Sequence, residues 1–142
     1  MRALISILSL LLIALHCPAV AAGEPTTREI AQPIYIGGKT SQDHQTASEI
    51  HTLVRTFVEA SQFDSSNFGV GATGGLKGYR IRIYGITDTN QQDRIVQLIK
   101  EHAVKNAWKP IYVCFVEKKV LVQERGGYRR GDEKVLYAVV VK

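Results

Sequence analysis

The chain has 142 residues, with 18 Lys and Arg against 13 Asp and Glu and a formal net charge of +5 at pH 7. This length is enough for one hydrophobic core and argues against two domains. The composition is mildly basic rather than strongly so, and gives no reason to expect a nucleic acid as partner.

Residues 1–22 have the parts of a secretory signal peptide. Arg2 precedes an apolar run over residues 3–14, and small residues near the end place cleavage after Ala21 or Ala22. The run is shorter than the ~20 residues that a membrane span needs, so we expect a periplasmic or secreted protein. Cys17 leaves lipidation as an alternative, although His16 stands where lipoprotein sites carry a small residue.

Cleavage would leave Cys114 as the single cysteine of the mature chain, whereas an internal disulfide needs two. Cys114 lies in the continuous apolar run 111–116, which is typical of a strand covered on both faces. We therefore predict a buried, inert thiol and a domain held together by its core alone.

The first half of the mature chain predicts an arm, a helix and a glycine-rich segment. Residues 23–41 are rich in Pro, Gly, Thr and Ser and predict a flexible arm. Thr40 or Ser41 can cap a helix over residues 43–61, whose apolar residues recur at helical spacing. Residues 68–78 contain five glycines and predict either a flexible loop or a frayed edge strand.

The second half alternates strands with one more helix. Residues 79–84 send Tyr79, Ile81 and Ile83 to one face and Arg80 and Arg82 to the other, which predicts a half-buried strand with a basic outer face. A second helix is expected from the capping pair Thr89 and Gln92 to about residue 107. Strands follow over residues 111–123 and 135–141, joined by a basic, glycine-rich tip at 125–132.

These elements predict a single α+β domain over residues 42–142. It would be a small sandwich, with two helices packed on one face of a mainly antiparallel sheet that ends in a β-hairpin. The last two strands are apolar on both faces, and two helices can cover only one face. Either the N-terminal arm covers the other face, or that face binds a partner or a second copy of the chain.

No motif indicates catalysis, a cofactor or a metal. Residues 69–74 match the dinucleotide pattern GxGxxG, but a strand rather than a helix is expected after them. His44 and His51 have no third ligand at suitable spacing, and His102 is similarly isolated. We therefore predict no catalytic, cofactor-binding or metal-binding residues.

The basic residues of the tip at 125–132 and of the strand over residues 79–84 are the remaining candidates for a binding site. The predicted binding residues are Arg125, Tyr128, Arg129, Arg130, Arg80 and Arg82, with Lys118, Lys119 and Lys134 nearby. They suit an acidic protein or an anionic phospholipid surface, and nucleic acid is not expected for an exported protein. The alternative is that these charges only keep an exposed hairpin soluble.

Residues 81–89, the helix after them and the strand that begins Ile111, Tyr112, Val113 resemble the core of a BON domain. The resemblance extends over about residues 47–117. BON domains are small α/β modules of bacterial envelope proteins. The resemblance therefore implies attachment to membranes, to phospholipid or to other envelope proteins, and it assigns no functional residue.

Together these observations predict an exported, non-enzymatic binding protein of the bacterial envelope that recognises another protein, in an immunity, inhibitor or assembly role. One alternative is a BON-like module that binds anionic phospholipid. Another is a small enzyme whose site forms only in three dimensions, for which a cleft joining Asp88 to His102 or His51 would be the sign.

Overall fold

The computed structural model describes residues 28–142 and contains two helices, a four-stranded sheet and a separate two-stranded sheet. The helices are α1 (Ser41–Ala60) and α2 (Thr89–Asn106). The strands are β1 (Gly69–Gly75), β2 (Gly78–Tyr84), β3 (Ile111–Val116), β4 (Leu121–Glu124), β5 (Gly127–Arg130) and β6 (Val135–Val141). The prediction of a small α+β domain is confirmed. The predicted signal peptide, Cys17 and residues 23–27 of the predicted arm lie outside the described residues.

The main sheet has the strand order β1-β2-β3-β6. β1 pairs with β2 and β3 with β6 in antiparallel fashion, while β2 and β3 are parallel and are connected through α2. Both helices pack on the same face of this sheet, which we call the helix face. Its core includes Ile50 of α1, Ile83 of β2, Ile95 of α2 and Phe115 of β3, all fully buried. The alternation predicted for residues 79–84 therefore has its apolar side toward the helices.

The start of α1 is tied to the segment that leads into β3. Thr40 caps the helix by accepting a hydrogen bond from the backbone N–H of Asp43. The Asp43 carboxylate accepts a 2.6 Å hydrogen bond from Thr40 Oγ1 and a 2.8 Å ionic hydrogen bond from Lys109 Nζ. The bond from Lys109 is the largest influence that lowers the pKa of Asp43 below its usual 3.8.

Asp43 is expected to make the stability of the domain depend on pH. Because its pKa is lowered in the folded state, its contribution is present above the ordinary value of 3.8 and is lost as the pH falls through the folded pKa. Asp43→Asn should therefore lower the free energy of unfolding near neutral pH, and its effect should shrink as the pH falls below 3.8 and through the folded pKa of Asp43. Urea unfolding over this pH range measures the difference. Glu49→Gln, which removes an exposed carboxylate from the same helix, is the control, and an equal pH dependence in both variants would contradict the prediction.

The glycine-rich segment after α1 forms a strand, so the edge-strand alternative holds and the loop alternative is wrong. β1 pairs with β2 over seven consecutive residue pairs, from Gly69 with Tyr84 to Gly75 with Gly78. Glycine disfavours an isolated strand, but here α1 packs over the helix face of β1, and its buried Ala47 and Ile50 share one core with the half-buried Val70 and Ala72. Tertiary packing thus outweighs the low strand propensity.

The other face of the sheet, which we call the back face, is partly covered by residues 28–40, which we call the strap. At one end Ala31 donates a backbone hydrogen bond to Ala138 of β6. At the other end Lys77, in the β1–β2 turn, donates a backbone hydrogen bond to Ile36. Between these points Ala31 and Ile34 pack against a second core cluster made of Tyr84, Tyr112, Cys114, Val116 and Ala138. The described part of the predicted flexible arm is therefore an ordered strap.

Arg28 fixes the first residue of the strap to α2 and β6. Its guanidinium forms an ion pair with Asp93 and donates a 3.0 Å hydrogen bond to the side chain of buried Gln92. It also lies 3.7 Å from the ring centroid of Tyr137, a cation–π contact. The strap therefore holds the helix face and the last strand together at this corner. The Gln92 side chain accepts this hydrogen bond from Arg28 and donates another to the Ile86 carbonyl. The predicted capping pair of Thr89 and Gln92 is therefore wrong, and Asp88 caps α2 instead.

The prediction of one long strand over residues 111–123 is wrong. All six residues of β3 are buried, and the strand ends at Val116. Three charged residues, Glu117, Lys118 and Lys119, follow and are exposed, because a strand covered on both faces cannot take in unpaired charges. β4 and β5 then form a hairpin of their own, which we call the basic hairpin, and β6 returns to pair with β3. Among residues 28–142 no helix is long and apolar enough to cross a membrane.

Candidate functional site

A cleft of about 490 Å³ lies on the back face of the sheet. β1 and β2 form its floor, Pro33 of the strap lies at one side, and the segment around the basic hairpin lies at another. Four cationic side chains line it: Arg80, Arg82, Lys119 and Arg130. We call this feature the basic cleft.

The cleft is open because β1 presents almost no side chains on the back face. Gly71 is paired with Arg82 and Gly69 with Tyr84, and directly paired residues point to the same face of a sheet. A Cβ atom added to Gly71 would have no other atom within 4 Å. The glycines that make this strand difficult to predict are therefore also the reason for the free volume beside Arg82.

The cations of the cleft are held in different ways. Arg80 donates a 2.7 Å hydrogen bond from Nε to the backbone carbonyl of Ile34, which fixes it against the strap without neutralising its charge. Lys119 is exposed, and no acidic partner for it occurs within the described chain. Arg82 and Arg130 share one acidic residue, Glu133. The cleft is therefore left with a net positive charge.

Glu133 is the internal counter-charge of the cleft. Its side chain is only 3% exposed, and its carboxylate lies 3.0 Å from Arg130 Nε and 3.6 Å from an Arg82 nitrogen. Neither carboxylate oxygen makes a hydrogen bond of good geometry within residues 28–142, and neither does the nearby buried hydroxyl of Tyr84. Glu133 thus connects the end of the basic hairpin to β2 through charge rather than through a saturated hydrogen-bond network.

The other polar groups of the cleft stay uncharged near neutral pH. Burial raises the pKa of the Tyr84 hydroxyl and raises that of Tyr112 to about 12. Burial likewise raises the pKa of the Cys114 thiol, which is 1% exposed on the same face. A high pKa and a buried sulfur are the properties of an unreactive cysteine. The charged groups that line the cleft are therefore its four cations, a lining suited to an anionic ligand.

The structure brings together three of the six predicted binding residues. Arg80, Arg82 and Arg130 all line the basic cleft. Arg129 instead pairs with Glu124 on the basic hairpin. Arg125 lies in the turn between β4 and β5, and Tyr128 of β5 is 70% exposed. These three residues belong to the basic hairpin and do not line the cleft.

Sequence reasoning missed the roles of Glu133 and Tyr84 and named Lys119 only as a neighbour of the hairpin. Glu133 stands between Asp132 and Lys134 in a polar run, so nothing local distinguishes it from a surface acid. Tyr84 ends the predicted strand of residues 79–84, where it continues the face of Arg80 and Arg82. That alternation is the signal by which Tyr84 could have been placed in the cleft.

A second groove, of about 770 Å³, lies between α1 and α2 and is lined by His44, His102 and Trp108 among others. His102 stacks on Trp108, and its Nδ1 lies 3.0 Å from the Leu98 carbonyl oxygen. Asp88 caps the opposite end of α2, about 21 Å away along the helix axis, and His51 does not line the groove. This groove therefore does not bring Asp88 or His51 together with His102.

Within the described range no three His, Cys, Asp or Glu side chains are arranged to hold a metal ion. No protein-family model matches the chain, and no curated protein or solved structure is significantly similar to it.

Proposed function

We propose that the chain is an exported, non-enzymatic binding protein of the bacterial envelope that recognises an acidic region of another protein through the basic cleft and the basic hairpin. The observation that carries the proposal is the convergence of four cations on one cleft, of which Arg82 and Arg130 share one acidic partner, Glu133. Such an arrangement focuses positive potential, which attracts and orients an acidic partner.

The basic hairpin favours a protein partner over a small anion. Tyr128 and Leu121 are 70% and 54% exposed, and the pairing of Leu121 with Arg130 places these two residues on one face. Tyr128 is two residues from Arg130 and therefore shares that face. Exposed aromatic, aliphatic and arginine side chains beside one another are typical of protein-binding surfaces. An immunity, inhibitor or assembly role, or dimerisation, would use this surface.

A second candidate is a BON-like module that binds anionic phospholipid. Its support is that β2, the turn at Gly85, α2 and β3 follow one another in the order on which the resemblance rests. The cations of the basic cleft would then meet phosphate groups at a membrane surface.

Lys119→Glu tests the proposed function without disturbing the fold, because Lys119 is exposed and makes no ion pair with another described residue. We expect affinity capture from an envelope extract to retain a protein on the wild-type chain at low and moderate salt, and Lys119→Glu to weaken its binding about tenfold. Lys118→Glu gives the same net charge from an exposed neighbour that does not line the cleft, and should bind nearly as wild type.

Two outcomes would contradict the proposal. Equal weakening by both variants would mean that net charge, not the cleft, governs binding. Retention on vesicles that contain phosphatidylglycerol, lost as the salt concentration rises and without any retained protein, would favour the phospholipid module instead.

A further inference from the structure

The outer edge of β1 lacks the usual protection of an edge strand. β1 is the terminal strand of the main sheet, and its pairing with β2 contains no bulge. Its sequence, GVGATGG, has no charged residue and no proline. Natural edge strands commonly carry lysine, proline or a bulge, since an unprotected edge can pair with another chain. The β1 edge is therefore suited to accept a further strand.

The backbone groups that face outward can be identified from the neighbouring strands. Tyr79 and Gly85 donate backbone hydrogen bonds to Pro110 and Val116 on the β3 side, at 2.9 and 3.1 Å. Backbone N–H and C=O groups alternate in direction along a strand. Those of Arg80 and Arg82 therefore point toward β1, where they form hydrogen bonds with the backbones of Thr73 and Gly71.

In β1, the residues that alternate with Gly71 and Thr73, including Val70 and Ala72, consequently direct their backbone N–H and C=O groups away from β2. In the part of the chain that the structure describes, these groups make no backbone hydrogen bond outside the strand pair.

The free edge adjoins the basic cleft. Gly71 and Thr73 point to the back face, beside Arg82 and Arg80. Strands lie about 4.8 Å apart, so a strand added to β1 would have its Cα atoms about 10 Å from those of β2. Arginine and glutamate side chains together can cross that distance, and Gly71 places no side chain between them.

We infer that the outer edge of β1 pairs with an extended acidic segment of the partner protein, whose alternate side chains enter the basic cleft. The inference rests on the proposed function and specifies how that partner is held. Main-chain hydrogen bonds to β1 would provide the register, and the charge of the cleft would select acidic residues at every second position.

A fluorescent ten-residue peptide of alternating Glu and Thr tests this mode of binding on the wild-type chain. We expect fluorescence anisotropy to show binding that is at least tenfold weaker for the same peptide N-methylated at every residue. The fully N-methylated peptide has the same charge but cannot donate a backbone hydrogen bond to β1, whichever of its edges faces that strand. A peptide with all Glu residues before all Thr residues should also bind more weakly, because it cannot place its acids on one face.

Ala72→Pro removes an outward N–H and leaves the bonds to β2 in place, a position where edge strands tolerate proline. It should weaken binding of the alternating peptide at least tenfold, whereas Ala72→Ser should bind as wild type. Equal binding of the methylated and unmethylated peptides would overturn strand addition, and so would wild-type affinity in folded Ala72→Pro. The Lys119→Glu result would then still decide the proposed function. Absence of peptide binding would also overturn the inference.

Discussion

Glu133→Gln is expected to weaken the fold and strengthen anion binding at the same time. The change removes the negative charge that Arg82 and Arg130 share, and the Glu133 side chain that carries this charge is only 3% exposed. Removing one partner of a fully buried ion pair costs about 3–5 kcal/mol. Because both arginines are partly exposed, we expect a loss of about 1–3 kcal/mol in the free energy of unfolding.

The same change increases the positive charge of the basic cleft by one. At the distances across such a cleft, the attraction between one added positive charge and a bound carboxylate is about 1 kcal/mol. The alternating Glu and Thr peptide should therefore bind about threefold to tenfold more tightly. Urea unfolding and fluorescence anisotropy measure the two effects. Asp132→Asn, which removes the adjacent exposed carboxylate, should change stability little. Weaker peptide binding to folded Glu133→Gln would show that Glu133 shapes the cleft rather than competing for its charge.

Phe115→Ala is expected to cause the largest loss of stability. Phe115 is fully buried in the helix-face core and stacks on Tyr137 with ring centroids 5.8 Å apart. Truncating a buried phenylalanine to alanine removes transfer energy and leaves a cavity, at a cost of about 3–5 kcal/mol. Domains of this size have only about 5–15 kcal/mol in total, so the variant should be partly unfolded near physiological temperature.

Thermal and urea unfolding followed by circular dichroism measure this loss. Val104→Ala is the control, because Val104 is an exposed apolar residue of α2 and its truncation should change the free energy by less than about 0.5 kcal/mol. Similar losses in the two variants would show that the helix-face core is not the main source of stability.

The elements that the sequence predicts well are those with a continuous run or a regular spacing of apolar side chains. Residues 135–141 agree with β6 at both ends, and α1 and α2 agree within a few residues. For β1 the sequence predicts two alternatives, because glycines carry no side-chain periodicity and the strand depends on contacts with β2 and α1. For the strap, a composition rich in Pro, Gly, Thr and Ser predicts flexibility, because the contacts that order it, such as Arg80 with the Ile34 carbonyl, join residues far apart in sequence.

The candidate site was predicted only in part for the same reason. The alternation of residues 79–84 already placed Arg80 and Arg82 on a common outer face, and the structure agrees. Their convergence with Arg130 depends on where β3 ends and on the fold-back of β4 and β5. The ion pair of Arg82 with Glu133 depends on the same course of the chain from β3 to β6, and no local sequence pattern predicts a contact between such distant segments.

The pairing of Ile30 with Ala138 joins the first described residues of the chain to its last strand. Within residues 28–142 this contact closes a loop that contains both helices and the other five strands, so the loss of chain entropy on closing it is large. The strap therefore cannot dock until β6 has been synthesised and has joined the sheet. One wall of the basic cleft is consequently completed only after β6 is in place, so a chain still emerging from a ribosome would not yet present the complete cleft.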